Sequence, residues 1–170
     1  PDMRILYHHR TLADGAEGIH IREMVSAFRD LGHEVQLMGL ASPPVTPGET
    51  GMLGRVRRLL PEPIQEIAGA VLNVREYWDV VRAIDTRRPD LLYKRHARND
   101  IGALQAAQSR GVPAVLEVNC LYSSPRYRAF EPLTFTRLAV ALERRALSLA
   151  SVVLAVSSPL LLSFSLLCIS

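Results

Sequence analysis

The chain has 170 residues, enough for one domain with a single core, and its 48% hydrophobic and 22% charged content excludes a disordered polymer. Nineteen arginines and one lysine, Lys94, against 17 acids leave a net charge of +3, and the arginines are scattered among the acids. With aromatics at 6% there is no stacking platform for single strands, so no nucleic-acid partner is expected.

Short apolar runs alternate with helix-period segments, the βαβ pattern of a Rossmann-like parallel sheet flanked by helices, an α/β fold. The first strand reads Arg4 to His9. A loop containing Asp14-Gly15-Ala16-Glu17-Gly18 then leads into a helix with Ile21, Met24, Val25 and Phe28 at i, i+3, i+4 and i+7, stopped by Gly32. Strand two is expected over Glu34–Leu40. A Pro/Gly-rich loop, Ala41 to Gly51, precedes a helical insertion with an apolar stripe of Met52, Leu53, Val56, Leu59 and Leu60 beside Arg55, Arg57 and Arg58. Such a basic amphipathic stretch suits either the sheet or an anionic membrane surface.

Ile67, Val71, Val74, Trp78 and Val81 predict the apolar face of a long helix, and Asp90–Lys94 the third strand after the Arg88-Pro89 break. Asn99 or Asp100 is expected to cap a helix with Ile101, Leu104 and Ala107 inward. Val112–Val118 reads as strand four. Leu138, Ala139, Leu142, Ala146 and Leu149 line a further helix, and Ser151–Val156 is strand five. From Ala146 to Ser170 no residue is charged, and the preferred reading is a buried strand followed by a short apolar tail rather than a membrane span.

In such sheets ligands bind at the carboxyl ends of the strands, here the loops opened by His9, Leu40, Arg95, Asn119 and Ser157. Glycines at 15 and 18 suit either a phosphate cradle at a helix N-terminus or an ordinary βα turn. The full Gly-x-Gly-x-x-Gly pattern is missing and strand two ends without a carboxylate, so a nicotinamide dinucleotide is disfavoured; there is no P-loop. His8 and His9 are neighbours on a strand and point to opposite faces, and no His/Cys combination has ligand spacing, so no metal is expected. Cys120 and Cys168 form no close pair and fit a reducing cytosol, and the N-terminus has no signal-peptide h-region.

Gly15-Ala16, His20 and Gly32-His33-Glu34-Val35 resemble the opening of family 4 glycosyltransferases, with Ala16 where the family has a second glycine. Asp90 to Arg95, Gly111 to Asn119, Glu143 to Leu147 and Ala150 to Ser157 are similar to later strands and helices of the same family. In order, these matches span residues 4–158. The resemblance implies one half of a GT-B architecture: an N-terminal, acceptor-side domain over 3–158, followed by a truncated or frame-shifted apolar tail over 159–170.

It further implies a retaining transfer of a hexose from a nucleotide sugar to a glycan or lipid-linked acceptor in the cytoplasm. Contact with the inner membrane face would run through 52–60, no cofactor or metal would be needed, and a C-terminal domain would grip the donor. Gly15, Ala16 and Gly18 are the expected donor-phosphate loop. His20, Arg95, His96 and Asn119 are the expected acceptor or substrate contacts, with Lys94, Arg95, His96 and Arg98 forming a cationic group suited to an anionic acceptor. The rival reading is a non-catalytic module that binds a sugar or phosphorylated glycan.

Overall fold

The computed structural model describes residues 2–11, 16–39, 61–124, 127, 129 and 133–156. Within them lie five strands, β1 (Arg4–His9), β2 (Glu34–Gly39), β3 (Leu91–Arg95), β4 (Ala114–Val118) and β5 (Val152–Ala155). Four helices alternate with them: α1 (Ala16–Asp30), α2 (Glu62–Arg87), α3 (Gly102–Ser109) and α4 (Thr136–Leu149). The strands form one all-parallel sheet in the order β2-β1-β3-β4-β5. All five expected strands are present, with ends that differ by a residue or two.

Helices cover both faces of the sheet, as all-parallel sheets require, except at the edge strand β5, which was expected to be buried but leaves Val152 and Leu154 exposed. Ile5, Tyr7, Val35 and Tyr93 pack against Ile21 and Val25 of α1 on one face. On the other, Leu6, Leu92, Leu116 and Val118 pack against Val80 and Ile84 of α2, Leu104 of α3, and Ala146 and Leu149 of α4. Gly32, at φ +87°, ends α1 in the left-handed turn expected of it, and His33 N–H reaches back to the Phe28 carbonyl at 3.0 Å.

Helix α2 departs from expectation. Val81 is buried, but Ile67, Val71, Val74 and Trp78 each leave more than half of their surface exposed. With Phe135 and Leu138 the first three line an open apolar groove of about 400 Å³. The inward face instead carries three polar residues, each with a partner that periodicity does not reveal. Glu66 accepts the N–H groups of Thr134 and Phe135 at 2.7 and 3.1 Å. Asn73 bonds to the loop after β3, and Glu76 accepts from Lys94 within β3. Their hydrogen bonds set the helix's rotation and outweigh exposure of the aliphatic stripe.

The capping of α3 is likewise tertiary. Asp100 is fully buried in an ion pair and Asn99 adopts φ 56°, so neither side chain caps the helix. Asn73 Oδ1 reaches across from α2 and accepts Ile101 N–H at 3.1 Å and Gly102 N–H at 3.3 Å, while its Nδ2 donates to the Asn99 carbonyl at 2.8 Å. The two helices touch backbone to backbone here, and a Cβ at Gly102 would strike the Asn73 carbonyl. Gly102→Ala is therefore expected to lose about 1–3 kcal/mol through overpacking. Gly69→Ala, within α2 where nothing lies near the added carbon, is expected to gain roughly 0.5–1 kcal/mol. Chemical denaturation of the two variants checks both signs.

At 26 residues α2 is about 39 Å long, roughly twice a six-residue strand. It ends shortly before β3 begins, and Asn73 and Glu76 already stand level with the end of β3. Its first turns therefore project past the carboxyl edge of the sheet and wall one side of it.

Candidate functional site

The carboxyl edge carries a polar cluster on the α1 face, centred on Glu117 of β4. In a strand reading Ala-Val-Leu-Glu-Val this carboxylate is 3% exposed, so its charge is met by hydrogen bonds rather than by water. Tyr93 of β3 donates to Oε2 at 2.8 Å, and His20 Nε2 lies 3.0 Å from Oε1. Arg95 Nη1 stands 3.7 Å from Oε1 and Nη2 stands 4.0 Å from Glu17 in the first turn of α1. With its amide oxygen turned toward Arg95, Asn119 accepts from Nε and Nη2 at 3.0 and 2.9 Å and donates to Glu117 Oε1 at 3.2 Å.

Three of the expected contacts, His20, Arg95 and Asn119, thus converge on one buried carboxylate. Burial, together with the Glu117 charge, pushes the Tyr93 phenol well above its ordinary range, so it stays protonated and donates. An ionised carboxylate only accepts, so Glu117 holds the proton of His20 on Nε2 and leaves Nδ1 for a ligand. The His20 side chain is 41% exposed whereas that of Glu117 is 4% exposed. Of the side chains bonded to Glu117, the imidazole is the most exposed.

His96 goes elsewhere. It follows Arg95 and points to the opposite face, where Nε2 meets Glu143 Oε1 of α4 at 2.9 Å with both side chains almost fully buried. The Glu143 carboxylate also accepts Tyr122 N–H at 2.8 Å and Ser123 N–H at 3.2 Å, and it bonds the Ser123 hydroxyl. These bonds hold its pKa below the usual carboxylate value against the opposing effect of burial. His96 and Glu143 therefore position the loop after β4.

The expected cationic group after β3 does not assemble. Lys94 is fully buried, 2.7 Å from Glu76, 2.5 Å from Asp100 and 2.8 Å from His8 Nδ1. Strand alternation sends Arg95 to Glu117 on one face and Lys94 and His96 to the other, where Lys94 meets Glu76 and Asp100 and His96 meets Glu143. Of the expected phosphate loop, Gly15 lies outside the described residues. Ala16 is the exposed first residue of α1, and Gly18 is buried within that helix rather than in a loop. The stripe at 52–60 and the tail at 159–170 also lie outside the described residues.

The sequence reading missed Glu117, Glu143, Glu76 and Asn73 as organising residues. Glu117 left a signal, a carboxylate inside an apolar parallel strand, but its partner His20 is 97 positions away. Among the described residues no helix is long and apolar enough to cross a membrane.

An all-parallel sheet with helices on both faces and a polar cluster at its carboxyl edge defines a Rossmann-like α/β domain. The chain belongs to the glycosyl transferase 4-like domain family, whose model matches residues 15–162. No curated protein matches it. Among solved structures it is similar to MurG of Acinetobacter baumannii, with TM-score 0.54, 11% identity, and coverage of 92% of this chain and 42% of that one. The glycosyltransferase SnogD from Streptomyces nogalater gives TM-score 0.50, 17% identity, and 92% and 45% coverage. An S. aureus MnaA–UDP co-structure gives 0.50, 15%, and 90% and 37%. These likenesses show the fold, that of GT-B glycosyltransferases. The chain spans less than half the length of each.

Proposed function

We propose that this chain is the N-terminal, acceptor-side domain of a retaining glycosyltransferase that moves a hexose from a nucleotide sugar to a glycan or lipid-linked acceptor. The observation that carries the reading is His20, a reachable imidazole held by buried Glu117 at the ligand-binding edge of a glycosyltransferase-family domain. In this reading Nδ1 hydrogen-bonds a substrate hydroxyl, and Arg95 and Asn119 fix the Glu117 carboxylate that orients the ring. The donor nucleotide is gripped by a second Rossmann-like domain, so the domain described here transfers nothing alone. A fold relative seen with UDP supports a nucleotide-sugar donor. The proposed setting is the cytoplasm, with residues 52–60 against the inner membrane face and no cofactor beyond the donor.

Two polypeptides test this with labelled nucleotide sugars: the 170-residue chain, and the same chain extended through its downstream reading frame. The short one is expected to be inactive and the extended one active. His20→Ala in the extended enzyme is expected to lower kcat/KM about two- to ten-fold, the equivalent of one lost neutral hydrogen bond. Transfer by the short chain, or none by the extended one, overturns the reading; the second result leaves a sugar-binding module.

A further inference from the structure

A second polar site lies on the opposite face of the sheet, where the ends of β1 and β2 meet α2. A cavity of about 110 Å³ opens there, bounded by Arg10, Met38, Leu72, Arg75, Glu76 and Asp79. By the same measure one water needs roughly 10–15 Å³, so the space is that of roughly seven to eleven waters, the scale of a single sugar ring.

Its charges are already matched. Arg10 Nη2 is 3.2 Å from Glu76 Oε2, and Arg75 Nε is 3.4 Å from Asp79 Oδ2. Glu76 Oε2, which Arg10 approaches without hydrogen-bond geometry, has essentially no accessible surface, so the exposed polar groups on the wall are Asp79 and Arg75. Two cations and two carboxylates leave the walls neutral. An anion placed here would meet a carboxylate beside each guanidinium, and the Coulomb terms would cancel. A neutral polyol meets no such opposition: each hydroxyl can donate to a carboxylate oxygen and accept from the neighbouring guanidinium. Met38 and Leu72 supply apolar wall against which the C–H face of a pyranose can rest.

We propose that this cavity binds one neutral hexose ring, the acceptor's sugar unit, with Asp79 accepting from its hydroxyls and Arg75 donating to them. This rests on the acceptor-side reading above, but it assigns the acceptor ring to the α2 face rather than to the His20 cluster on the α1 face. It also fits the projection of α2 beyond the sheet, which places the cavity under the wall of the carboxyl edge.

Protein-observed NMR of the 170-residue chain tests it with the methyl glycosides of glucose, galactose, mannose and N-acetylglucosamine at tens of millimolar, and with inorganic phosphate for comparison. At least one glycoside is expected to shift the Met38 and Leu72 methyl signals saturably, with phosphate leaving them in place. Leu72→Trp, which fills the cavity, is expected to abolish the shift of the Met38 methyl. Arg75→Ala alters only an exposed rim residue and is expected to weaken binding about ten-fold or more. Shifts with phosphate alone, shifts that persist in Leu72→Trp, or none with any glycoside overturn the assignment. Transfer by the extended enzyme without hexose binding here refutes the cavity and leaves the transferase reading. Binding here without any transfer does the reverse.

Discussion

Replacing Lys94 with Met is expected to destabilise the protein by about 3–5 kcal/mol, the usual consequence of removing one partner from a buried ion network. Lys94 Nζ is the shared donor of three groups, Glu76, Asp100 and His8, and neither it nor Asp100 has any solvent contact. Arg10 stands 3.2 Å from Glu76 and 3.8 Å from Asp100, so two cations balance two carboxylates. Without Lys94 the two acids face each other with one cation between them. For a domain of this size the loss corresponds to roughly 6–20 °C in Tm. The deficit is expected to shrink at acid pH, where one carboxyl of the variant takes up a proton. Thermal unfolding of both proteins across the pH range checks this, and a variant as stable as the parent at neutral pH would show that the network carries no net energy.

Stability is also expected to fall as pH drops from about 6.5 toward 4. Burial lowers the His9 pKa to about 4, and burial together with the Lys94 charge sets that of His8 well below its ordinary value. A group whose folded pKa is depressed contributes stability that is complete above its unfolded pKa and is lost as pH falls to the folded value. For His9 alone the window from 6.5 to 4 is worth up to about 3 kcal/mol. Glu76 and Glu143, both held below their ordinary values, extend the loss below about pH 4.5. Asp100 opposes it, because burial raises its pKa and its neutral form gains on folding. Denaturant titrations at stepped pH measure the slope, and His9→Asn is expected to flatten it between 6.5 and 4.

What the sequence displayed depended on how local each signal was. The inner strands β1, β3 and β4 were legible because a parallel strand buried on both faces is a short apolar run. The inward side of α1 was legible because Ile21, Val25 and their neighbours bury without polar competition. On α2 the same periodicity pointed to the wrong side, since Glu66, Asn73 and Glu76 find partners 18 to 69 residues away that no window contains. On α4 the inward line runs through Ala139, Glu143 and Ala146, with Leu138 displaced to the surface.

The site shows the same division. His20, Arg95 and Asn119 could be nominated from family resemblance and loop position, but their meeting at Glu117 depends on strand order. Strand alternation, as with His8 and His9, puts His96 on the face opposite Arg95, but its partner Glu143 lies 47 positions away and left no local sign.

Lys94 is the only lysine in the chain, and its ammonium is wholly enclosed. The folded domain therefore presents no side-chain amine to chemistry. Amine-directed labels and cross-linkers can modify the native domain only at a chain terminus. Enzymes that acetylate or ubiquitinate lysine find no target until β3 separates from α2. Modification at Lys94 thus times the opening of the core: when labelling is slow relative to reclosing, its rate reports the population of the open state rather than surface accessibility.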